Sequence, residues 1–407
     1  MIAIVAPNYD PETNAAAKRI TSIAQRMSGR HKVTVVTHLP HYPQNRIYEG
    51  YDVTSPDVRE ESGVEVVRLR PWLVPKASLP LRMAAETLFC IQASAHVLSR
   101  RPDLVLTSSP FMFLGPMGLL VSRVLGAAFV WDVRDLTWLY PRATGHRTYG
   151  TDRLLERLML ITARHSDALT TATDGLLGYF RDRPDRSMVV VNGVNDELLD
   201  ELLDLPPAEP TDEPCALYAG LFGYNHALKT VLQAAELLPH VHFTLAGDGP
   251  DKAELIAFTK SRGLANVSFS GYLSKDELIG QYRRSTVLIS HVRRNPLYRW
   301  TQPAKLWEYM ATGRPVIHAG EGEAVDIVTR YDIGVAIPPQ DAGALAAGIR
   351  MVLEAPEEAR ALGRRARAFV DTYRRRTKLL EDLESVLEDT IAAKRGVARR
   401  HTSHTLP

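Results

Sequence analysis

The sequence predicts an α/β fold built from two doubly wound domains, and three observations carry that reading. Short Val-, Ile- and Leu-rich runs recur along nearly the whole chain, separated by amphipathic stretches of helical period. The series is interrupted at 199–215, "LDELLDLPPAEPTDEPC", which holds four prolines, and then restarts. The chain has 407 residues, 45% of them hydrophobic, which suffices for two or three separate cores.

In the first half the runs at 2–6, 32–37, 64–69, 103–108, 127–133, 167–172 and 187–192 read as strands. Helical patterns at 15–27, 81–99 and 152–164 lie between them. Near-continuous apolar strands alternating with helices predict a parallel sheet covered on both faces. After the linker, strands are expected at 215–220, 241–249, 267–272, 286–292, 314–320 and 334–339. The chain thus divides into a Rossmann-like domain at 1–198, a linker at 199–214 and a second Rossmann-like domain at 215–375. A helix at 376–394, with Leu379, Leu380, Leu383, Leu387 and Ile391 in one stripe, is expected to pack back on the first domain. Residues 395–407 lack a core pattern and are expected to be disordered.

Several function classes drop out. A net charge of +2 argues against bulk nucleic-acid binding. Cys90 and Cys215 are far apart and in no metal-ligand spacing, and His31, His38 and His41 share no ligand face. No basic leader precedes the first strand. The apolar stretch 111–131 is broken by Pro116, Arg123 and several glycines, so it reads as a buried helix running into a strand, not a membrane span. The expectation is a cytoplasmic protein that at most touches the inner membrane surface. A dehydrogenase is disfavoured because "APNYDPETNAAA" stands where a Gly-x-Gly-x-x-Gly would follow the first strand.

In open parallel sheets, ligands bind beyond the carboxyl ends of the strands. Three loops of the second domain qualify. Gly220 and Gly223 lie in "YAGLFGYNHALKTVLQAAELL" (218–238), where a tight turn leads to a helix whose free N–H groups attract phosphate. Gly247 and Asp248 lie in "LAGDGP" (245–250), and Gly271 and Tyr272 in "FSGYLSKDEL" (269–278). Ser274 and Glu277 form a capping box there, so Glu277 has a local role.

The most informative stretch is "TQPAKLWEYMATGRPVI" (301–317). Pro303 suits a first helical turn, Thr301 or Gln302 the cap, and Gly313 the position after the end. Leu306, Tyr309 and Met310 share a core face, and Lys305 and Glu308 the face beside it. A lysine in a first turn opposes the helix dipole unless an anion sits there. By itself the pair reads more simply as an i,i+3 ion pair.

Together, two Rossmann-like domains, a linker, "VNGVND" (191–196) and "KLWEYMATGRPVI" resemble the GT-B glycosyltransferases, and most closely the family 4 retaining enzymes. "VTHLPHYPQNRIYEGY" (36–51) and "DVRDLTWLYP" (132–141) are similar to segments in its O-antigen, capsule and exopolysaccharide enzymes. The resemblance implies two domains facing each other across a deep cleft and a nucleotide-sugar donor, UDP- or GDP-linked. Sugar passes with retention to a glycan, lipid-linked or small-molecule acceptor, and no cofactor or metal is required. It places the donor ribose on Glu308 and the diphosphate on Lys305, with Gly220, Gly223, Asn225, Gly247, Asp248, Gly271, Tyr272, Arg299 and Leu306 in the donor site. Arg134 and Asp135 join Lys305 as catalytic candidates. Asn14, Lys18, His38, His41, Tyr42 and the segment 140–147 are acceptor candidates. No Asp-x-Asp occurs in the chain, which agrees with metal-independent transfer.

The sequence also departs from the family. Trp300 stands where its first Glu is expected, and Leu221 where its Gly-rich loop has Arg. "NAAAKR" (14–19) replaces the usual glycine pair, and Arg134 stands where many members have His. Alternatives are therefore an inactive partner that binds a nucleotide sugar, or a sugar-nucleotide epimerase.

Overall fold

A computed structural model of the chain describes residues 1–42, 45–51, 56–74, 78–140, 150–207 and 211–396. Its contacts divide it into two units: Met1–Val190 with Leu380–Pro407, and Val191–Leu379.

The first unit holds an eight-stranded sheet. Its strands are β1 (Ile2–Val5), β2 (Val33–His38), β3 (Asp57–Glu61), β4 (Val64–Leu69), β5 (Leu104–Ser108), β6 (Ala128–Val133), β7 (Ala168–Thr171) and β8 (Ser187–Val189). The order is β3-β4-β2-β1-β5-β6-β7-β8, parallel throughout except for β3 against β4. Strand β3 was not expected. Its sequence, DVREE, has no apolar alternation because it is a half-exposed edge, where charge discourages further pairing.

One face of this sheet is covered by helix Ala15–Ser28, through Ile20, Ile23 and Met27, and by Leu380, Leu383, Leu387 and Ile391 of helix Arg376–Lys394. Glu384 of that helix accepts from Arg26 Nε at 2.6 Å. On the other face, Phe89, Ala93 and Val97 of helix Leu79–Arg100 pack with Leu114, Met117 and Val121 of helix Leu114–Leu125. That second helix is not buried all round as 111–131 suggested, for Leu120 and Val124 are exposed.

The second unit holds a six-stranded, all-parallel sheet: β9 (Cys215–Ala219), β10 (His242–Ala246), β11 (Val267–Gly271), β12 (Val287–His291), β13 (Val316–Ala319) and β14 (Val335–Ile337). Its order is β11-β10-β9-β12-β13-β14, so the winding direction reverses between β9 and β12. That reversal opens a crevice at the carboxyl ends of these two strands.

The division between units falls at Val190–Val191, ahead of the proline-rich stretch. The expected linker begins inside a helix, Asp196–Leu203, which Asn195 caps by accepting from the Leu198 N–H. Leu199, Leu202 and Leu205 are buried in the second unit's core. Their helical spacing outweighs the prolines that follow. Residues 397–407 of the expected tail, and 208–210 of the linker, lie outside the described residues.

Candidate active site

The site is built at the end of β9. Helix Ala304–Ala311 lies over it, positioned by Tyr309: the buried phenol accepts from the Ala219 N–H at 2.7 Å and donates to the Ala219 carbonyl at 2.7 Å. One turn earlier on that helix, Lys305 Nζ donates to Tyr218 Oη at 2.6 Å and lies 4.0 Å from the ring centroid. Tyr218 gives its own proton to the Leu221 carbonyl at 2.9 Å, leaving an oxygen lone pair for the lysine. The half-buried ammonium is thus aimed at the start of the Gly-rich loop. Burial pushes Lys305 down to about 7, although Glu308 pulls the other way.

The helix begins at Pro303 with no side-chain cap and no acid in its first turn. Thr301 and Gln302, the expected caps, are committed elsewhere: Thr301 Oγ1 donates to the Tyr298 carbonyl at 2.8 Å and Gln302 Nε2 to Glu323 Oε1 at 2.7 Å. A cation and an uncapped amide cluster therefore share one end of the helix, suited to a polyanion. Glu308, half-buried one turn further in, supplies a carboxylate beside them.

Two glycines are required by this geometry. Gly220 has φ +142° and a Cβ there would lie 2.4 Å from Lys305 Nζ. Gly247 has φ +140° and a Cβ there would lie 1.9 Å from the Gly220 carbonyl oxygen. Gly247→Ala is expected to destabilise the protein by about 2 kcal/mol or more through backbone strain and overlap. A circular-dichroism melt checks this; each kcal/mol lowers Tm by about 2–4 °C, and an unchanged Tm contradicts the packing.

The chain matches two families along most of its length: a glycosyl transferase 4-like domain over residues 14–193 and glycosyl transferases group 1 over residues 203–369. It is a GT-B glycosyltransferase of the family 4 type. WcaI of Escherichia coli K12, a glycosyl transferase named for colanic acid biosynthesis, is 24% identical over 88% of this chain and 93% of its own length. Among solved structures, the sucrose-phosphate synthase of Thermosynechococcus elongatus shares the fold with a TM-score of 0.76, at 19% identity over 96% of this chain and 99% of that one. The Anabaena protein HepE, solved with UDP, has a TM-score of 0.70 at 15% identity, over 95% and 99% of the two chains.

The remaining donor candidates of the glycosyltransferase are placed unevenly. Asn225 accepts a short hydrogen bond from Tyr298 Oη, and its carbonyl accepts from the Arg293 N–H at 2.8 Å. Gly223 leads into a 3-10 turn, Tyr224–His226, so the helix beyond, Lys229–Glu236, starts later than expected and Gly223 is not at its N-terminus. Asp248 is held by Lys252 Nζ at 2.7 Å and the Gly249 N–H at 2.7 Å. Gly271 takes φ +71° at the end of β11, and Tyr272 beside it is 60% exposed. Arg299 is exposed on a 3-10 turn, Pro296–Trp300. Leu306 is fully buried in the core, so its side chain offers nothing to a donor, which corrects its inclusion.

In the first unit, Arg134 and Asp135 follow β6 and are half-buried. The Arg134 N–H donates to Ser109 Oγ at 2.8 Å. Burial pushes the Asp135 carboxyl up, against the pull of Arg134. The stronger feature nearby escaped the sequence reading. Asp132, 1% exposed, accepts from Arg19 Nη2 at 2.8 Å, Arg19 Nε at 3.1 Å, Ser108 Oγ at 2.7 Å and Thr170 Oγ1 at 2.8 Å. Burial would raise this carboxyl, but the guanidinium and the hydroxyl bonds hold it below its usual range.

Two of the acceptor candidates, Asn14 and His38, hold structural positions. Asn14 caps helix Ala15–Ser28 through the Ala17 N–H at 2.9 Å, and Lys18 is half-buried on its second turn. His38 packs against Phe89 with ring centroids 4.3 Å apart and near Phe111, and burial pushes it down to about 3. It is a core residue, which corrects its assignment. The His41 and Tyr42 N–H groups both donate to Glu12, at 2.8 and 2.9 Å. Glu12, buried and also bonded by Asn8 at 2.6 Å, organises this loop and was missed because it lies in no recognisable motif. Residues 141–147 of the expected acceptor segment lie outside the described residues.

Proposed function

We propose that this glycosyltransferase is a retaining, metal-independent enzyme that moves a sugar from a UDP- or GDP-sugar to a glycan or lipid-linked acceptor in the cytoplasm. The observation that carries the reading is Lys305, aimed at Gly220 from the first turn of an uncapped helix, with Glu308 one turn in. In this account the donor diphosphate meets Lys305 and the helix amides, and Glu308 accepts hydrogen bonds from the ribose diol. As the sugar–phosphate bond breaks, negative charge grows on the leaving diphosphate, where Lys305 lowers the barrier. That diphosphate then takes the acceptor's proton on the front face of the sugar, so no strong protein base is needed and both groups need only be held in register. Metal independence is supported by the absence of Asp-x-Asp from the sequence. The UDP bound by the Anabaena relative supports a nucleoside diphosphate donor, and the name of the Escherichia coli relative supports a polysaccharide acceptor.

The test is a thermal-shift panel of UDP- and GDP-sugars against the purified protein. One nucleotide series is expected to raise Tm at concentrations well above Kd. A panel with no shift removes the donor site. Trp300 and Leu221 favour a second reading, an inactive partner, and turnover separates the two. Steady release of nucleoside diphosphate supports the transferase, whereas a shift without release supports the partner.

A further inference from the structure

Three helices of the first unit lie side by side: Leu79–Arg100, Leu114–Leu125 and Thr151–His165, with the second between the other two. Each buries one face and leaves large apolar side chains on the other. On the first, Phe89, Ala93 and Val97 face the core. Leu81, Leu88, Ile91 and Leu98 stand on the opposite side at alternating spacings of helical period, with Ile91 63% exposed. On the second, Leu120 and Val124 are 67% and 68% exposed, and on the third Leu154 is 70% exposed beside Leu158 and Ile161. Scattered exposed leucines are ordinary, but a run across three adjacent helices is not.

The exposed charges on the same layer all have one sign. On its outer side Arg123, Arg153, Arg157 and Arg164 are exposed, Arg164 being paired with Asp182 at 3.2 Å, while the layer's carboxylates, Glu86, Asp152 and Glu156, are part-buried. We propose that the outer side of this three-helix layer docks on an anionic lipid bilayer, its apolar ridges entering the interface and its arginines meeting headgroup phosphates. A second copy of the chain fits less well. A two-fold contact sets a patch against itself, and here arginine would face arginine: the three helices expose no carboxylate, and Asp182 beside them is already paired with Arg164 at 3.2 Å. No described helix is long and apolar enough to cross a membrane, so the layer lies on the surface. The proposal does not depend on the donor site.

Co-sedimentation with vesicles tests it, using phosphatidylcholine alone and phosphatidylcholine mixed with phosphatidylglycerol, with no donor present. The wild-type chain is expected to sediment with the anionic vesicles and to be released by salt. Ile91→Asp with Leu120→Asp is expected to cut the partition roughly tenfold or more. Arg153→Ser with Arg157→Ser is expected to cut it about fivefold per arginine. Both pairs are exposed, and an unchanged circular-dichroism melt confirms that the variants fold. Sedimentation in a protein that gives no nucleotide-sugar shift upholds this proposal while sinking the donor reading. No sedimentation, equal sedimentation with phosphatidylcholine alone, or binding untouched by either pair overturns it. A dimer dissolved by Ile91→Asp, without vesicle binding, assigns the face to a second copy and overturns it too.

Discussion

Glu308→Ala is expected to reduce kcat/KM for the donor by roughly 10²–10⁴-fold while leaving the fold intact. The magnitude follows from two hydrogen bonds between a carboxylate and the ribose hydroxyls, each worth about 1.5–3 kcal/mol when one partner is charged. Folding should tolerate the change, because Glu308 is half-buried on a helix anchored by Tyr309, and alanine is the best helix former. Steady-state kinetics with a nucleotide sugar, beside a thermal melt, separates the two effects. Activity close to wild type removes Glu308 from the site. A collapsed melting temperature makes its role structural.

Replacing Lys305 by Met, which keeps the stem and removes the charge, is expected to weaken donor binding by roughly 10–100-fold. It should slow transfer further, since an electrostatic donor at a developing oxyanion contributes about 10²–10³ in kcat. The pH dependence is more diagnostic. Burial holds Lys305 near 7, so it is cationic below that pH and loses its charge above it. A nucleotide sugar keeps both phosphates ionised throughout that range, and His226 and His291, pushed down to about 3 and 4 by burial, stay neutral. Donor affinity should therefore be highest below pH 7, fall as pH rises through it, and become low and flat in Lys305→Met. Stability has the opposite sign. Between the folded value near 7 and the ordinary lysine value of 10.5, the unfolded chain binds more protons, so Lys305 makes the wild type gain stability as pH rises. Calorimetric titration and melts over this range check both, and a pH profile shared by the variant clears Lys305 of the role.

The parallel strands were legible because both their faces are buried, which leaves apolar runs such as IAIV and the VLI that opens β12. Strand β3 was illegible because an exposed, charged edge strand carries no such signal. The helix Asp196–Leu203 was hidden by the prolines after it, although its leucines had the right spacing. At the site, the rotation of helix Ala304–Ala311 decides what Lys305 reaches. That rotation is set by Tyr309 bonding Ala219, a contact 90 residues apart in sequence, so Tyr218 as the partner of Lys305 could not be read locally. Asp132 did leave a trace, a lone carboxylate inside the buried run AFVWDV, which demanded a buried base. Its partner Arg19 lies more than a hundred residues away within "NAAAKR", so the pair has no local signature, unlike the adjacent Arg134 and Asp135. His38 misled because a histidine next to aromatic and basic residues reads equally well as a surface or as core.

A crystal structure of the enzyme with an intact nucleotide sugar decides whether Lys305 and Glu308 hold the donor. The diphosphate is expected against Lys305 Nζ and the first-turn amides beyond Pro303, close to the Gly220 backbone, with both ribose hydroxyls on the Glu308 carboxylate. A nucleotide bound elsewhere, with Lys305 still on Tyr218 and Glu308 untouched, would contradict it.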